Sequence, residues 1–261
     1  MQFQTKNRYT IGDFLQIMEL LRSPEGCPWD REQTHQSIRN NLIEETYEAV
    51  EAIDTGDTEL LREELGDVLL QVVFHAMLEK EAGSFDFSDV VDGVAKKMIL
   101  RHPHVFGDIS VRNTDEVLQN WEAIKMKSHG RTSTAEALEG VSRSLPALMR
   151  GQKVFKKAAK AAGLKAGPDA SVRQIGEALH EAEGLSASSE ESECLLTVGK
   201  LLFCAAGLAQ SLGIDAEQAL TVFCDGYIRK IKNAGDAGPA SYLEMDAGSF
   251  AADPEAPVNA H

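Results

Sequence analysis

Apolar residues recur at helical spacing through most of the chain. Ile11, Phe14, Leu15, Met18 and Leu21 share one face of a helix predicted over 11–22. The run Ser23-Pro24-Glu25-Gly26-Cys27-Pro28-Trp29-Asp30 then reads as a loop punctuated by Pro and Gly. Helices are predicted over about 37–54 and 58–82, joined by the turn Thr55-Gly56-Asp57, and a third over 87–100 that Pro103 stops. Another is predicted over 113–127. Between Val68 and Leu78 the pattern is apolar nearly all round, as in a buried helix, and its polar members Gln71 and His75 continue a line from Asp67 at four-residue steps. No segment reads as a strand. The class is all-α, with short connections that imply antiparallel neighbours.

The second half has the same character. Arg131-Thr132-Ser133-Thr134 suggests a linker, followed by a basic helix over 145–162 and a Gly/Pro break over 163–169. Three further helices are predicted over about 171–184, 193–212 and 215–233, and the Gly/Ala/Asp/Pro-rich end, 234–261, is expected to be mostly disordered. The expected division is a first domain over 1–130, a linker over 131–144, a second domain over 145–233 and the tail. The two domains form a faint repeat. On that register Glu44 becomes Gly176, Glu48 becomes His180, Glu64 becomes Thr197 and Asp67 becomes Lys200, while Glu45 keeps its carboxylate as Glu177.

Two acidic clusters carry the chemistry of the first half: Glu44-Glu45-Thr46-Tyr47-Glu48 and Glu63-Glu64-Leu65-Gly66-Asp67. Glu45 with Glu48, and Glu64 with Asp67, are three apart and share a helix face. Like charges at that spacing repel by about 0.2–0.5 kcal/mol per pair. Either cluster alone suits a solvated helix face. Asp67 at the head of an apolar helix is costly unless paired or coordinated, and oxygen-only ligands suit a hard divalent cation.

A formal charge of −15 argues against a general nucleic-acid or membrane-surface binder. Cys27, Cys194, Cys204 and Cys224 form no metal-ligand spacing and read as small buried hydrophobes in a reducing compartment. The N-terminus lacks the apolar core of a signal peptide, and no stretch approaches the ~20 apolar residues of a membrane span, so a cytoplasmic protein is expected. The run Gln152-Lys153-Val154-Phe155-Lys156-Lys157 reads as a solvated amphipathic helix rather than a nucleic-acid site.

Glu44-Glu45-x-x-Glu48 followed by Glu64-x-x-Asp67 resembles the signature of MazG-type nucleoside triphosphate pyrophosphohydrolases. Gly26-Cys27-Pro28-Trp29-Asp30, Arg101-His102-Pro103-His104-Val105-Phe106, Asn120-Trp121-Glu122-x-x-Lys125 and Leu145-Pro146-Ala147-Leu148-Met149 extend the resemblance to about residue 232. It implies two tandem helical-bundle domains, a homodimer, Mg²⁺ dependence (with Mn²⁺ as a substitute), and hydrolysis of nucleoside triphosphates to monophosphate and pyrophosphate. The second domain departs from the pattern, because Lys200 supplies a cation where Asp67 would bind one. The active site is therefore expected in the first domain.

On this reading Glu45, Glu48, Glu64 and Asp67 hold the metal. Glu44 orients the attacking water, acts as base, or supports the ligands. Lys97 and Arg101, four apart at a helix end, either neutralise phosphate oxygens or complement the helix dipole. Trp29 either stacks on a base or plugs the domain, and Trp121 has the same two readings. His102 and His104 suit a helix-terminal turn. The alternatives are a narrow pyrophosphatase for dUTP, dCTP or modified nucleotides, and a non-catalytic nucleotide-binding module. A ferritin-like redox centre is disfavoured because neither acidic pair is E-x-x-H.

Overall fold

In the computed structural model, residues 3–114, 116–118, 120–121, 124, 134–163 and 167–234 are described. Side-chain caps start three helices of the first unit. Thr10 and Asp13 form a reciprocal capping box that starts α1 (Ile11–Arg22), with Thr10 N–H donating to Asp13 Oδ2 at 2.9 Å. The same box, Asp86 with Asp89, starts α5 (Phe87–Arg101). Between them lie α2 (Pro28–Glu32), α3 (Arg39–Thr55) and α4 (Thr58–Ala82). Pro28 stands in the first turn of α2, so part of the segment expected as loop is a short helix. Thr34 and Ser37 bond each other's backbone N–H groups at 2.9 and 3.2 Å, and this turn delays α3 to Arg39.

The α3–α4 connection is the most consequential turn. Gly56 takes the left-handed conformation, φ 70°, that ends α3, and Asp57 accepts bonds from the N–H groups of Glu59 and Leu60 to start α4. Two residues thus reverse the chain and leave the helices packed side by side. After α5, Pro103 starts the short helix α6 (Pro103–Phe106) rather than only stopping its predecessor. Of the helix expected over 113–127, residues 114, 116–118, 120–121 and 124 are helical.

The chain divides into two compact units, built on Met1–Lys125 and Met126–Ala256. The core of the first unit is Met18, Ile38, Val73, Phe74 and Met77, flanked by Phe14, Leu15, Leu21, Leu70, Leu78 and Phe87. Arg22 bolts this core together. Its guanidinium lies 5.2 Å from the centre of the Phe74 ring and makes two 2.7 Å bonds to Glu81. The all-round burial expected of 68–78 is only half realised. Val73, Phe74, Ala76 and Met77 are buried, whereas Leu69 is exposed. Core packing covers one stripe of α4, while Leu65 and Leu69 of α4 and Ile43, Tyr47 and Val50 of α3 stay exposed.

The second unit contains α7 (Thr134–Glu139), α8 (Ala147–Ala161), α9 (Pro168–Glu183), α10 (Glu191–Leu212) and α11 (Ala216–Ala234). The expected linker therefore includes a helical turn, and residues 235–261 lie outside the described set. As expected of an amphipathic helix, α8 buries Gln152 and Phe155 and exposes Lys153 and Lys156. Helix α10 is long and apolar enough to cross a membrane by length and composition, contrary to the sequence expectation. Ala, Leu, Cys and Phe raise its hydropathy although Glu191, Glu193 and Lys200 interrupt it, and it packs against α8, α9 and α11. All four cysteines are free, and Cys204 is buried as expected but Cys224 is exposed.

Gln152 fastens the α10–α11 connection. Its Nε2 donates to Ile214 O at 2.7 Å, and its Oε1 accepts from Ala216 N–H at 2.9 Å. Removing this amide leaves two backbone groups unpaired in a buried setting, at about 1–3 kcal/mol for each such group. Gln152→Ala is expected to lower the unfolding free energy of the full chain by about 2–4 kcal/mol, measured by urea denaturation. A change within experimental error would show that the amide carries no stability.

Candidate active site

The tight turn after α3 brings the two acidic clusters together. Glu48 precedes Gly56 by eight residues and Glu64 follows Asp57 by seven, so the two side chains stand at similar heights on adjacent helices. The buried side chains of α3 are alanines, Ala49 and Ala52, which permits close helix approach. Carboxylate oxygens of Glu45, Glu48 and Glu64 consequently lie within 4.8 Å of one another. Glu64 is buried at 8% exposure, Glu45 half-buried and Glu48 exposed.

Burial raises the Glu45 pKa, and the charges of Asp67 and Glu48 raise it further. Glu64 is likewise raised by burial first, then by Glu48 and Asp67. Among the described residues no Lys or Arg forms an ion pair with any of these four acids. An uncompensated set of hard oxygen donors is what a divalent cation requires, so the residues fit such an ion.

The remaining sequence candidates separate. Exposed Glu44 and half-buried Asp67 both stand outside the converging trio. Lys97 is exposed on α5 and makes no ion pair among the described residues. Arg101 is buried at 8% exposure, with its guanidinium 4.8 Å from the centre of the Trp121 ring. That cation–π contact gives both residues a structural role that helix spacing did not reveal. Trp29 is 60% exposed on α2, which disfavours the reading of it as a plug. His102 Nδ1 lies 2.7 Å from Met98 O, in keeping with a helix-terminal turn.

Residues 33–106 match the family described as the MazG nucleotide pyrophosphohydrolase domain. Over 240 residues, the chain is 41% identical to the nucleoside triphosphate pyrophosphohydrolase of Escherichia coli K12, and the alignment covers 90% of both. The chain belongs to the MazG family. It is also similar to the nucleoside triphosphate pyrophosphohydrolase/pyrophosphatase MazG of Thermotoga maritima, at 38% over 220 residues, covering 84% of this chain and 83% of that one. A nucleoside triphosphate pyrophosphohydrolase of Mycobacterium tuberculosis is 42% identical over 153 residues, covering 58% and 45% respectively. The matched MazG segment contains all five acids, Lys97 and Arg101, whereas Trp29 precedes it.

This MazG chain also has a polar cluster that sequence reasoning missed. His75 on α4 meets His35 of the turn before α3, and His35 in turn meets Glu79. The four-residue line from Asp67 pointed to His75, but nothing local to His35 signalled its partner.

At the trio, the folded-state pKa values of Glu45 and Glu64 lie above the ordinary 4.5. The folded state therefore binds more protons than the unfolded one just above that value, and stability is lost as pH rises through the raised pKa values. A bound cation reverses that loss. Adding Mg²⁺ to chelator-treated protein at neutral pH is expected to stabilise it by about 2.7 kcal/mol at one hundred times the dissociation constant. The gain should shrink on acidification as the carboxylates protonate. Glu64→Gln should raise the melting temperature without metal and remove the response to it. An unchanged metal response in that variant would contradict the site.

Proposed function

We propose that this chain hydrolyses nucleoside triphosphates between the α- and β-phosphates, releasing monophosphate and pyrophosphate, at the carboxylate cluster of its first unit. The observation that carries this reading is the convergence of Glu45, Glu48 and Glu64 without a protein cation. Glu45, Glu48, Glu64 and Asp67 are the residues assigned to hold Mg²⁺, with Mn²⁺ as a substitute. When bound, such an ion polarises the scissile phosphate and lowers the pKa of an attacking water.

The chain's own residues supply the rest. Glu44 keeps an exposed carboxylate beside the ligands and takes the water-orienting role. The Lys97 ammonium neutralises phosphate oxygens. Arg101, buried against Trp121, is assigned the same role through its N–H groups. Exposed Trp29 stacks on the base. In the reaction one water adds across the α–β bridge, so the bridging P–O bond breaks and pyrophosphate leaves.

The second unit is assigned no hydrolytic site. Lys200 Nζ lies 2.6 Å from Glu181 Oε1, so a side-chain cation sits among carboxylates that include neighbouring Glu177. Glu181, one turn beyond Glu177 along α9, takes the bond. The catalytic domain is assigned to 1–130 and the degenerate one to 145–233, with 131–144 between them.

Glu48→Gln and Asp67→Asn keep side-chain shape but remove ligand charge. Each is expected to reduce Mg²⁺-dependent pyrophosphate release at least ~100-fold with helical circular dichroism unchanged. Glu45→Gln should behave alike, whereas Glu177→Gln should stay within about twofold of the parent. Orthophosphate and diphosphate as primary products would refute the reaction, and a large effect of Glu177→Gln would refute the placement.

Exposed Ile43, Tyr47, Val50, Leu65 and Leu69 form apolar surface on α3 and α4, which supports a homodimer through the first unit. Leu69→Lys is expected to convert a dimeric mass, measured by light scattering, to a monomeric one. A parent protein that is strictly monomeric yet active would exclude this assembly.

A further inference from the structure

The Nδ1 atoms of His35 and His75 are 2.7 Å apart, with ring centroids 5.0 Å apart and ring planes within 3°. That centroid separation is the N···N distance plus about two ring radii, so the imidazoles lie edge to edge in one plane. The contact is therefore an N–H···N hydrogen bond and not a face-to-face stack. On its other side His35 Nε2 meets Glu79 Oε1 at 2.9 Å. At the inner end His75 Nε2 is buried with no hydrogen-bond partner among the described residues.

Two nitrogens this close hold one proton between them. With two protons, N–H groups point at each other, and with none, lone pairs do. We propose that His35 and His75 are positioning residues for the carboxylate site, whose single shared proton clasps the turn at the head of α3 to α4 and so sets Glu45 and Glu48 against Glu64. The inference rests on the reading of those carboxylates as the hydrolytic site.

The clasp acts on a turn that is internally tied. Ser37 Oγ donates to Gln33 Oε1 at 2.7 Å, and Gln33 Nε2 donates to Trp29 O at 2.9 Å. The turn, the Trp29 helix and the start of α3 therefore move as one piece. Helix α3 has no side-chain cap of its own, and Ile38 at its head is buried in the core. Releasing His35 from α4 loosens the end of α3 from which the ligand residues are held.

The charges around the pair leave Glu79 as the carboxylate that meets it. On α1, Glu19 is held by Lys80 and Arg22 by Glu81. Arg31 of α2 donates to Pro24 O, and Arg39 of α3 to Asn40 Oδ1. Asp86 and Asp89 are occupied in the cap of α5. Burial, reinforced by the charge of His35, pushes the His75 pKa down. The folded state thus takes up its second proton at lower pH than the unfolded state does. Stability is complete above the ordinary His value near 6.5 and is lost as pH falls toward the depressed one.

The test uses the full chain labelled with ¹⁵N at histidine. A scalar coupling between the two Nδ1 nuclei across the shared proton is expected at neutral pH, and it should vanish on acidification. With Mg²⁺ and each common nucleoside triphosphate in turn, KM should rise roughly five- to tenfold between neutral pH and about pH 5.5. The amide of His75→Asn can still donate to His35 but takes no second proton, so that rise should shrink to the part that protonation of the carboxylates causes. His35→Asn provides the same comparison if His75→Asn does not fold. Absence of the coupling at every pH, or an undiminished KM rise in the folded variant, would overturn the clasp. Thermal unfolding without nucleotide, in which the parent should lose more stability on acidification than the variant, separates the two readings. Coupling and acid lability without pyrophosphate release would retain the clasp and sink the hydrolytic assignment. Pyrophosphate release without coupling would do the reverse.

Discussion

Repulsion among Glu45, Glu48, Glu64 and Asp67 is the constraint around which the first unit is arranged. Without a cation these acids oppose the packing of α3 on α4, and burial of Glu64 adds to the cost. The two-residue turn at Gly56 and Asp57, the alanine contact surface of α3 and the core beneath α4 hold the helices together against that repulsion. Under the proposed function, a bound cation would recover the stability that this arrangement gives up.

The second unit contains a comparably packed helix pair with a different charge arrangement. Helices α9 and α10 pack on each other much as α3 and α4 do, but Lys200 stands among the acids and bonds Glu181. The local charge is satisfied within the chain. Stability there is vested in contacts of another kind, such as the Gln152 bridge to Ile214 and Ala216 and the close approach of Phe155 to Gly207. Among the described residues the acids of the first unit make no ion pair with Lys or Arg at the carboxylate cluster, whereas Lys200 stands among those of the second.

Around the carboxylates, residues of catalytic appearance divide by what they touch. Arg101 and Trp121 stabilise each other, so a buried guanidinium has a partner without any substrate. Lys97 and Trp29 remain exposed. In the proposed clasp His35 bridges His75 and Glu79, which stand on the α4 line that begins at Asp67, and so connects the geometry of the α3 head to the proton concentration.

The order and type of the helices were legible in the sequence, because helical periodicity, capping residues and Gly/Pro breaks act over a few neighbouring positions. Thr58–Ala82 and the pairing of acids three apart could be read for that reason. Membership of the acidic site was half legible: spacing placed Glu45 with Glu48, and Glu64 with Asp67, on their helix faces. Only the tertiary structure decided that Glu45, Glu48 and Glu64 converge while Glu44 does not, since that depends on how closely and at what rotation two helices pack. The partners of Arg101, His35 and Lys200 were hidden for the same reason. Each is joined to a residue at least nineteen positions away, where local spacing carries no information and packing alone selects the contact.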